Sequence, residues 1–436
     1  MLEAIGIRTR RDAGIFLFVG LLFLFVNGVL VGCLPSLFVL PRMTLDLFSI
    51  ITLCCSVVMI LVNYMWLFLG IASLFYQPLK LPEEVNSPKV SAIIPAYNEE
   101  RVIKGIVSDL LKQDYPHLEV IVVAHNCSDK TMESLETFKS DTRLKVVEYR
   151  TSESGKALAM NKGFSVSTGD IIAEFDADNR IADRDMFRKA VRYFLYTDCG
   201  AIQAKLKVTN GDLNLVTKYQ EIEYTLFSHL FWAGRNVLKK NCNCGGTGIF
   251  FRRTILEQVD GWDNLLTEDY AMFRKLSKAG AKILYAPDIE SFDEKPASWT
   301  VLMKQRSRWQ KGHIQIFFRE VKERNWTGIL DMLYGVAPLT TPIFYLLTSL
   351  LFIGYVFHMS YWYPPVAVWF FGTLMTVGVL YAIIKKTGAK GMARHIPLYY
   401  LFSYHWLALF PFIFTVKSWG ESKTPHGFTV KQSPNP

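Results

Sequence analysis

Asp176-Ala177-Asp178 closes the apolar run DIIAEF. Two carboxylates at i and i+2, just past a strand, can face one divalent ion and its phosphate ligands. Mg²⁺ or Mn²⁺ is normally held by one or two carboxylates plus phosphate oxygens, and such an ion neutralises the charge on a departing diphosphate. Asp176 and Asp178 are therefore the candidate metal ligands. A second apolar run ends in IIPAYNEE, where Pro95 is expected to stop the ladder and Tyr97, Asn98 and Glu99 stand at a turn into a helix. An aromatic ring and an acid there can cradle a nucleobase and ribose, or Asn98 can simply cap the helix. Gly155 allows close backbone approach, and Lys156 after it begins a helix where an ammonium can meet a diphosphate. Gln203, in CGAIQAKLKV, joins Pro95, Tyr97, Glu99, Lys156, Asp176 and Asp178 as candidates for binding a nucleotide and its phosphates.

The acceptor side is read from three later stretches. In NCGGTGIFFRR, Gly245, Gly246 and Gly248 let a sugar approach the backbone, with Thr247 among them. Thr267-Glu268-Asp269 precedes a helical pattern; Thr267 suits an N-cap with acids in the first turn. The functional reading makes Asp269, with Glu268 beside it, the general base that deprotonates an acceptor hydroxyl. In KQRSRWQKGH, Gln305, Arg308 and Trp309 stand at i, i+3 and i+4 and share a helix face. Arginine offers a bidentate phosphate contact and tryptophan a flat surface for a sugar ring. A basic helix lying on a membrane surface fits the same residues.

Elements that could position these residues follow from the apolar pattern. Strands are expected at KVSAII, LEVIVVA, LKVVEY, DIIAEF, CGAIQAKLKV and KILYAP. Helices are expected near Glu99–Gln113, Lys130–Ser140, Lys156–Ser167 and Asp185–Tyr196. The alternation predicts an α/β domain with a mostly parallel sheet covered on both faces, and ligands beyond the carboxyl ends of its strands.

The 436 residues carry a net charge of +9, yet charge vanishes near both ends. Ala13–Pro41 and Leu47–Leu79 are uncharged, and each exceeds the roughly 20 residues that cross a bilayer. They read as a transmembrane hairpin, with Arg8, Arg10 and Arg11 placing the N-terminus inside. Further spans are expected at Met332–Phe357, Val366–Ile384 and about Ile396–Val416. The divisions are 1–80 for the hairpin, 81–300 for the catalytic domain, 301–331 for amphipathic interface helices, 332–416 for C-terminal spans and 417–436 for a tail. Membrane lipids rather than nucleic acid account for the basic balance, since no nucleic-acid motif is present. Seven cysteines at irregular spacing are not a disulfide framework and read as reduced thiols.

These pieces in this order resemble the family-2 glycosyltransferases with a GT-A (Rossmann-like) fold. They are most similar to the membrane-integrated branch of hyaluronan, chitin, poly-N-acetylglucosamine and cellulose synthases. The resemblance implies an inverting transfer from a UDP-sugar, glucose or N-acetylglucosamine type, at the plasma membrane with a cytoplasmic catalytic domain. Asp176 and Asp178 would bind nucleotide and metal, Asp269 would be the base, and Tyr97, Glu99 and Lys156 would contact the donor. Gln305, Arg308 and Trp309 would hold diphosphate and acceptor, with Trp419, Lys423 and Thr424 in a tail similar to a gating loop. VVAHNCSDKT departs from the pattern: Ala124 and His125 stand where the resemblance leads one to expect a pair of aspartates contacting the uracil. The expected product is a growing polysaccharide exported processively; transfer of one sugar to a membrane lipid is the alternative.

Overall fold

A computed structural model describes residues 8–15, 17–18, 21, 64–83, 88–335, 377–387 and 390–396. The expected spans fall largely outside these residues, as does the tail with Trp419, Lys423 and Thr424. No helix among the described residues is long and apolar enough to cross a membrane. Two compact units divide the chain: Tyr76–Leu213 with Arg235–Pro296 carry the sheet, while Asn214–Gly234 and the described residues of 297–335 belong to the other unit and are mainly helical.

The sheet unit has seven strands in the order β3-β2-β1-β4-β6-β5-β7. They are β1 Val90–Ala96, β2 Leu118–His125, β3 Leu144–Tyr149, β4 Ile171–Glu174, β5 Cys199–Val208, β6 Ile249–Arg252 and β7 Lys282–Asp293. Neighbours β3, β2, β1 and β4 run parallel, and so do β5 and β7. β6 runs antiparallel to both β4 and β5. The sheet is thus mostly parallel, as the sequence pattern predicts, with β6 reversed among the seven strands. The reversed strand is IFFR, four residues behind a glycine-rich turn, too short for any period to show.

β1 is buried at every position and continues through Pro95 to Ala96, so the proline does not end it. β4 pairs with β1 only as far as Ile93, so Pro95 lies past that ladder and its missing N–H costs no bond there. One sheet face packs on α1 (Ile103–Leu111) and α4 (Met186–Tyr196) through Val90, Ala92, Ile94, Val107 and Val191. Phe175, Phe187 and Phe250 meet edge-on in this core, with ring centroids 5.7–6.3 Å apart.

Two shorter helices, α2 (Thr131–Leu135) and α6 (Arg253–Gln258), flank the sheet's loops. The opposite face carries α3 (Lys156–Val166), placed close to the strands because Gly163 sits on Ile93 and Val123. The sheet unit also carries α7 (Glu268–Lys278). The helical unit contains α5 (Leu215–Leu226), continued by a π-helical stretch, then α8 (Trp299–Lys322) and α9 (Trp326–Gly335).

Candidate active site

Reversal of β6 sets the site. Ile93, Glu174, Ile249 and Gln203 stand in one row across the sheet. The carboxyl ends of β1 and β4 and the amino end of β6 therefore open on the same side. The DAD turn, the IIPAYNEE turn and the glycine-rich turn emerge together there.

Asp176 and Asp178 are both half-buried in the turn after β4. The Asp176 N–H donates to Thr247 Oγ1 at 3.1 Å and to Asn179 Oδ1 at 3.2 Å. The turn's far side is tied to α1, where Arg180 donates to both Asp109 oxygens at 2.7 and 3.1 Å. The Ile181 N–H adds 3.0 Å to Asp109. A buried bidentate pair of this kind holds geometry well, because breaking it strands a charge.

Gly246 occupies φ +80°, a region open to glycine at little cost. A Cβ there would sit 3.1 Å from Asp269 Oδ2, so the carboxylate lies directly against this glycine. Gln203 is fully buried beneath the turn. It accepts from the Gly245 N–H at 2.7 Å and donates to the Thr247 carbonyl at 3.0 Å. Gln203 and Thr247 thus shape the turn from below, rather than presenting a surface to a nucleotide.

Glu268 and Asp269 form the first turn of α7, Glu268 buried and Asp269 half-buried. Thr267 stands at the N-cap position but makes no side-chain cap bond, unlike the capping reading of the sequence. Lys156 is buried. Its ammonium lies 2.7 Å from Asp176, 3.0 Å from Glu174 and 3.3 Å from Glu268, and donates to the Gly246 carbonyl at 2.5 Å. Burial alone would depress this lysine, but Asp176, Glu174 and Glu268 hold its pKa well above the ordinary value. Glu174 moves the other way: burial, with Glu268 and Asp176 repelling it against the pull of Lys156, pushes it up to about 7. Glu174 went unread in the sequence, although an acid inside an apolar strand was its signal.

At the IIPAYNEE turn, Tyr97 is half-buried and Glu99 buried, its N–H bonded to Thr131 Oγ1 at 2.7 Å. Asn98, at φ 55°, accepts from the Ser128 and Asp129 N–H groups and so joins the loops after β1 and β2. His125 is buried and stacks on Tyr149 at 5.1 Å, with Nδ1 3.3 Å from the Tyr149 carbonyl. Burial lowers its pKa, which leaves the ring neutral at pH 7.

Gln305, Arg308 and Trp309 are half-buried on one face of α8, in the helical unit. The ring of Trp309 rests on the buried guanidinium of Arg306, 4.1 Å from the ring centroid. Arg306 in turn pairs with Glu223 of α5.

The donor set fits a hard divalent ion. Asp176 and Asp178 offer carboxylate oxygens at a strand end, and phosphate oxygens would complete the shell. Among the described residues no cluster of three or more His, Cys, Asp or Glu could hold a metal unaided. Cys127, Cys199, Cys242 and Cys244 are buried free thiols.

The sequence profile described as "Glycosyltransferase like family 2" matches residues 88–312. The chain belongs to this family. As a glycosyltransferase, it is 28% identical over 345 residues to the probable glycosyltransferase YdaM of Bacillus subtilis, 74% of this chain and 81% of that one. It is 33% identical over 259 residues to the beta-monoglucosyldiacylglycerol synthase of Trichormus variabilis, 57% of this chain and 54% of the relative. It is 26% identical over 256 residues to the poly-beta-1,6-N-acetyl-D-glucosamine synthase of Staphylococcus epidermidis, 58% of this chain and 62% of the relative. The glycosyltransferase thus spans under two thirds of the length of the last two. Its fold is similar to that of the mannosyltransferase PcManGT of Pyrobaculum calidifontis, solved with GDP-Man and Mn²⁺. That likeness has a TM-score of 0.57 at 20% identity and covers 84% of this chain and 99% of the other.

Proposed function

We propose that this glycosyltransferase moves a hexosyl group, with inversion, from a UDP-sugar to a growing polysaccharide at the plasma membrane, from a cytoplasmic catalytic domain. The observation that carries the reading is Asp269 held against the Gly246 backbone, with Lys156 linking that glycine and Glu268 to Asp176.

In this reading Tyr97 and Glu99 frame the nucleoside, and Asp176 and Asp178 would hold Mg²⁺ or Mn²⁺ with the diphosphate. When bound, that ion supplies charge neutralisation for the leaving diphosphate. The acceptor hydroxyl approaches over Gly246, which carries no side chain of its own and lies against Asp269. Asp269 takes its proton as the oxygen attacks the anomeric carbon, the bond to the diphosphate breaks on the opposite side, and one displacement inverts the centre. Gln305, Arg308 and Trp309 are assigned to diphosphate and acceptor.

A membrane-held product is supported by the uncharged stretches of the sequence. It is also supported by Phe318, Val321, Trp326 and Leu330, exposed on α8 and α9 among the exposed Lys322 and Arg324. A second reading, one hexose added to a lipid, is favoured by the 33% identity to the glucosyldiacylglycerol synthase.

The test is purified protein in nanodiscs with Mn²⁺ or Mg²⁺ and a panel of labelled nucleotide sugars, products sized by gel and mass spectrometry. A high-molecular-weight ladder from one UDP-sugar supports the polymer reading, and a single hexose on a lipid replaces it with the second. Asp269→Asn should lower turnover by at least about 100-fold with UDP binding nearly intact, since it removes only the base. Full turnover by that variant would remove Asp269 from the chemistry.

A further inference from the structure

We infer that Lys156 is a positioning residue for the base and makes no contact with the donor diphosphate. The inference rests on the reading of Asp269 as base. An ammonium has three N–H donors. Around Lys156 stand four acceptors: Asp176 Oδ1, Glu174 Oε1, Glu268 Oε1 and the Gly246 carbonyl, at 2.5–3.3 Å. The side chain is 6% exposed. Its donor capacity is therefore spent inside the protein, with nothing left to aim at a phosphate.

Two of those bonds, to Glu268 and to the Gly246 carbonyl, hold Asp269 from two directions. Glu268 is its neighbour in the chain, and Gly246 is the residue its carboxylate lies against. The same helix grips the approach to the base a second time. Asn161 of α3 accepts from the Trp262 N–H at 2.9 Å and donates to the Trp262 carbonyl at 2.8 Å. The Trp262 indole then donates to Glu174 at 3.1 Å, closing a loop back to Lys156. Asn161 fixes where the 262–268 segment starts, and Lys156 fixes where it ends. Removing the ammonium leaves its buried carboxylates facing one another, and their repulsion moves Glu268, and with it Asp269, off the acceptor.

The test compares Lys156→Met, Glu268→Gln and the double variant by steady-state kinetics, with UDP binding measured by calorimetry in EDTA, where Asp176 holds no metal. Positioning predicts that each single variant lowers kcat by about 30-fold or more, with UDP Kd in EDTA within about threefold of wild type. The double variant should be no worse than about twofold below the weaker single, because both cut the Lys156–Glu268 link. A diphosphate contact predicts instead a rise of about tenfold or more in UDP Kd in EDTA, and that result overturns the inference. Independent, multiplying effects in the double variant overturn it as well. Should Lys156→Met fail to fold, Lys156→Met with Glu174→Gln lightens the stranded charge, and the same kinetic split is required of it. Asp269→Asn assayed alongside separates the two readings. If it keeps turnover, the base assignment falls and this inference with it. If it loses turnover while Lys156→Met weakens UDP binding, only the positioning role falls.

Discussion

His313 shows how a single side chain records its surroundings. It is buried in α8 with Nδ1 2.7 Å from the Trp309 carbonyl. Burial, with Arg308 nearby, lowers its pKa to about 4 against the pull of that carbonyl. The folded state therefore disfavours the imidazolium while the unfolded chain accepts it near pH 6.5. Stability from this residue is full above pH 6.5 and is lost as pH falls toward 4, by at most about 1.4 kcal/mol per pH unit. Denaturant titrations from pH 7.5 to 4.5 should show the loss in wild type and a shallower one in His313→Gln. Identical slopes would reject the assignment. Trp309→Ala is expected to raise acceptor KM about tenfold while donor KM stays within twofold, as a stacking surface for the acceptor requires. Equal rises in both would reject that role. Asp176 and Asp178 stood out as candidates because they close an apolar run, and Asp269 because it opens a helical pattern. The sequence named Gln203 and Lys156 as candidates without showing that both are buried, because spacing along a chain does not tell which way a polar group faces. Glu174 and Arg306 carry charge into buried positions, and only the packed fold shows what meets it.

At the scale of elements, long periodic segments read well. α3 and α4 begin and end within a residue of their expected bounds, Lys156–Val166 and Met186–Tyr196. α1 begins later than expected, at Ile103, since Glu99 to Val102 are spent on the turn that carries the site. β6 was missed because its evidence is a partner on each side, which no local pattern holds. Two substitutions probe what positions the site. Gly163→Val would drive a side chain into Ile93 and Val123, and should destabilise the fold by about 3 kcal/mol, measured by denaturant unfolding. Asp109→Ala strands Arg180 and should cost about 3–5 kcal/mol of stability. Because Arg180 follows the DAD turn, UDP affinity in Mn²⁺ should drop as well. Unchanged affinity would show that the turn holds itself.

Over the whole molecule, the distribution of charge said more than its sum. The family match over residues 88–312 falls within the charged centre that lies between the uncharged stretches. The exposed Phe318, Val321, Trp326 and Leu330 leave apolar area where a soluble surface would place polar groups. Changing Phe318 and Trp326 together to serine should weaken activity on membrane-held acceptor while leaving the sheet unit's stability within about 0.5 kcal/mol. Equal activity in the two proteins would detach this face from the membrane.

The reversed strand also dictates an order of assembly. β6 lies between β4 and β5, yet both are made before it. A chain still being synthesised can pair β1 to β4 by short parallel crossovers, but β5 has no strand to pair with until residue 252 has emerged. The turn bearing Gly246 is thus set only when β6 slides home, and catalytic competence arrives as a late event of folding, not an early one.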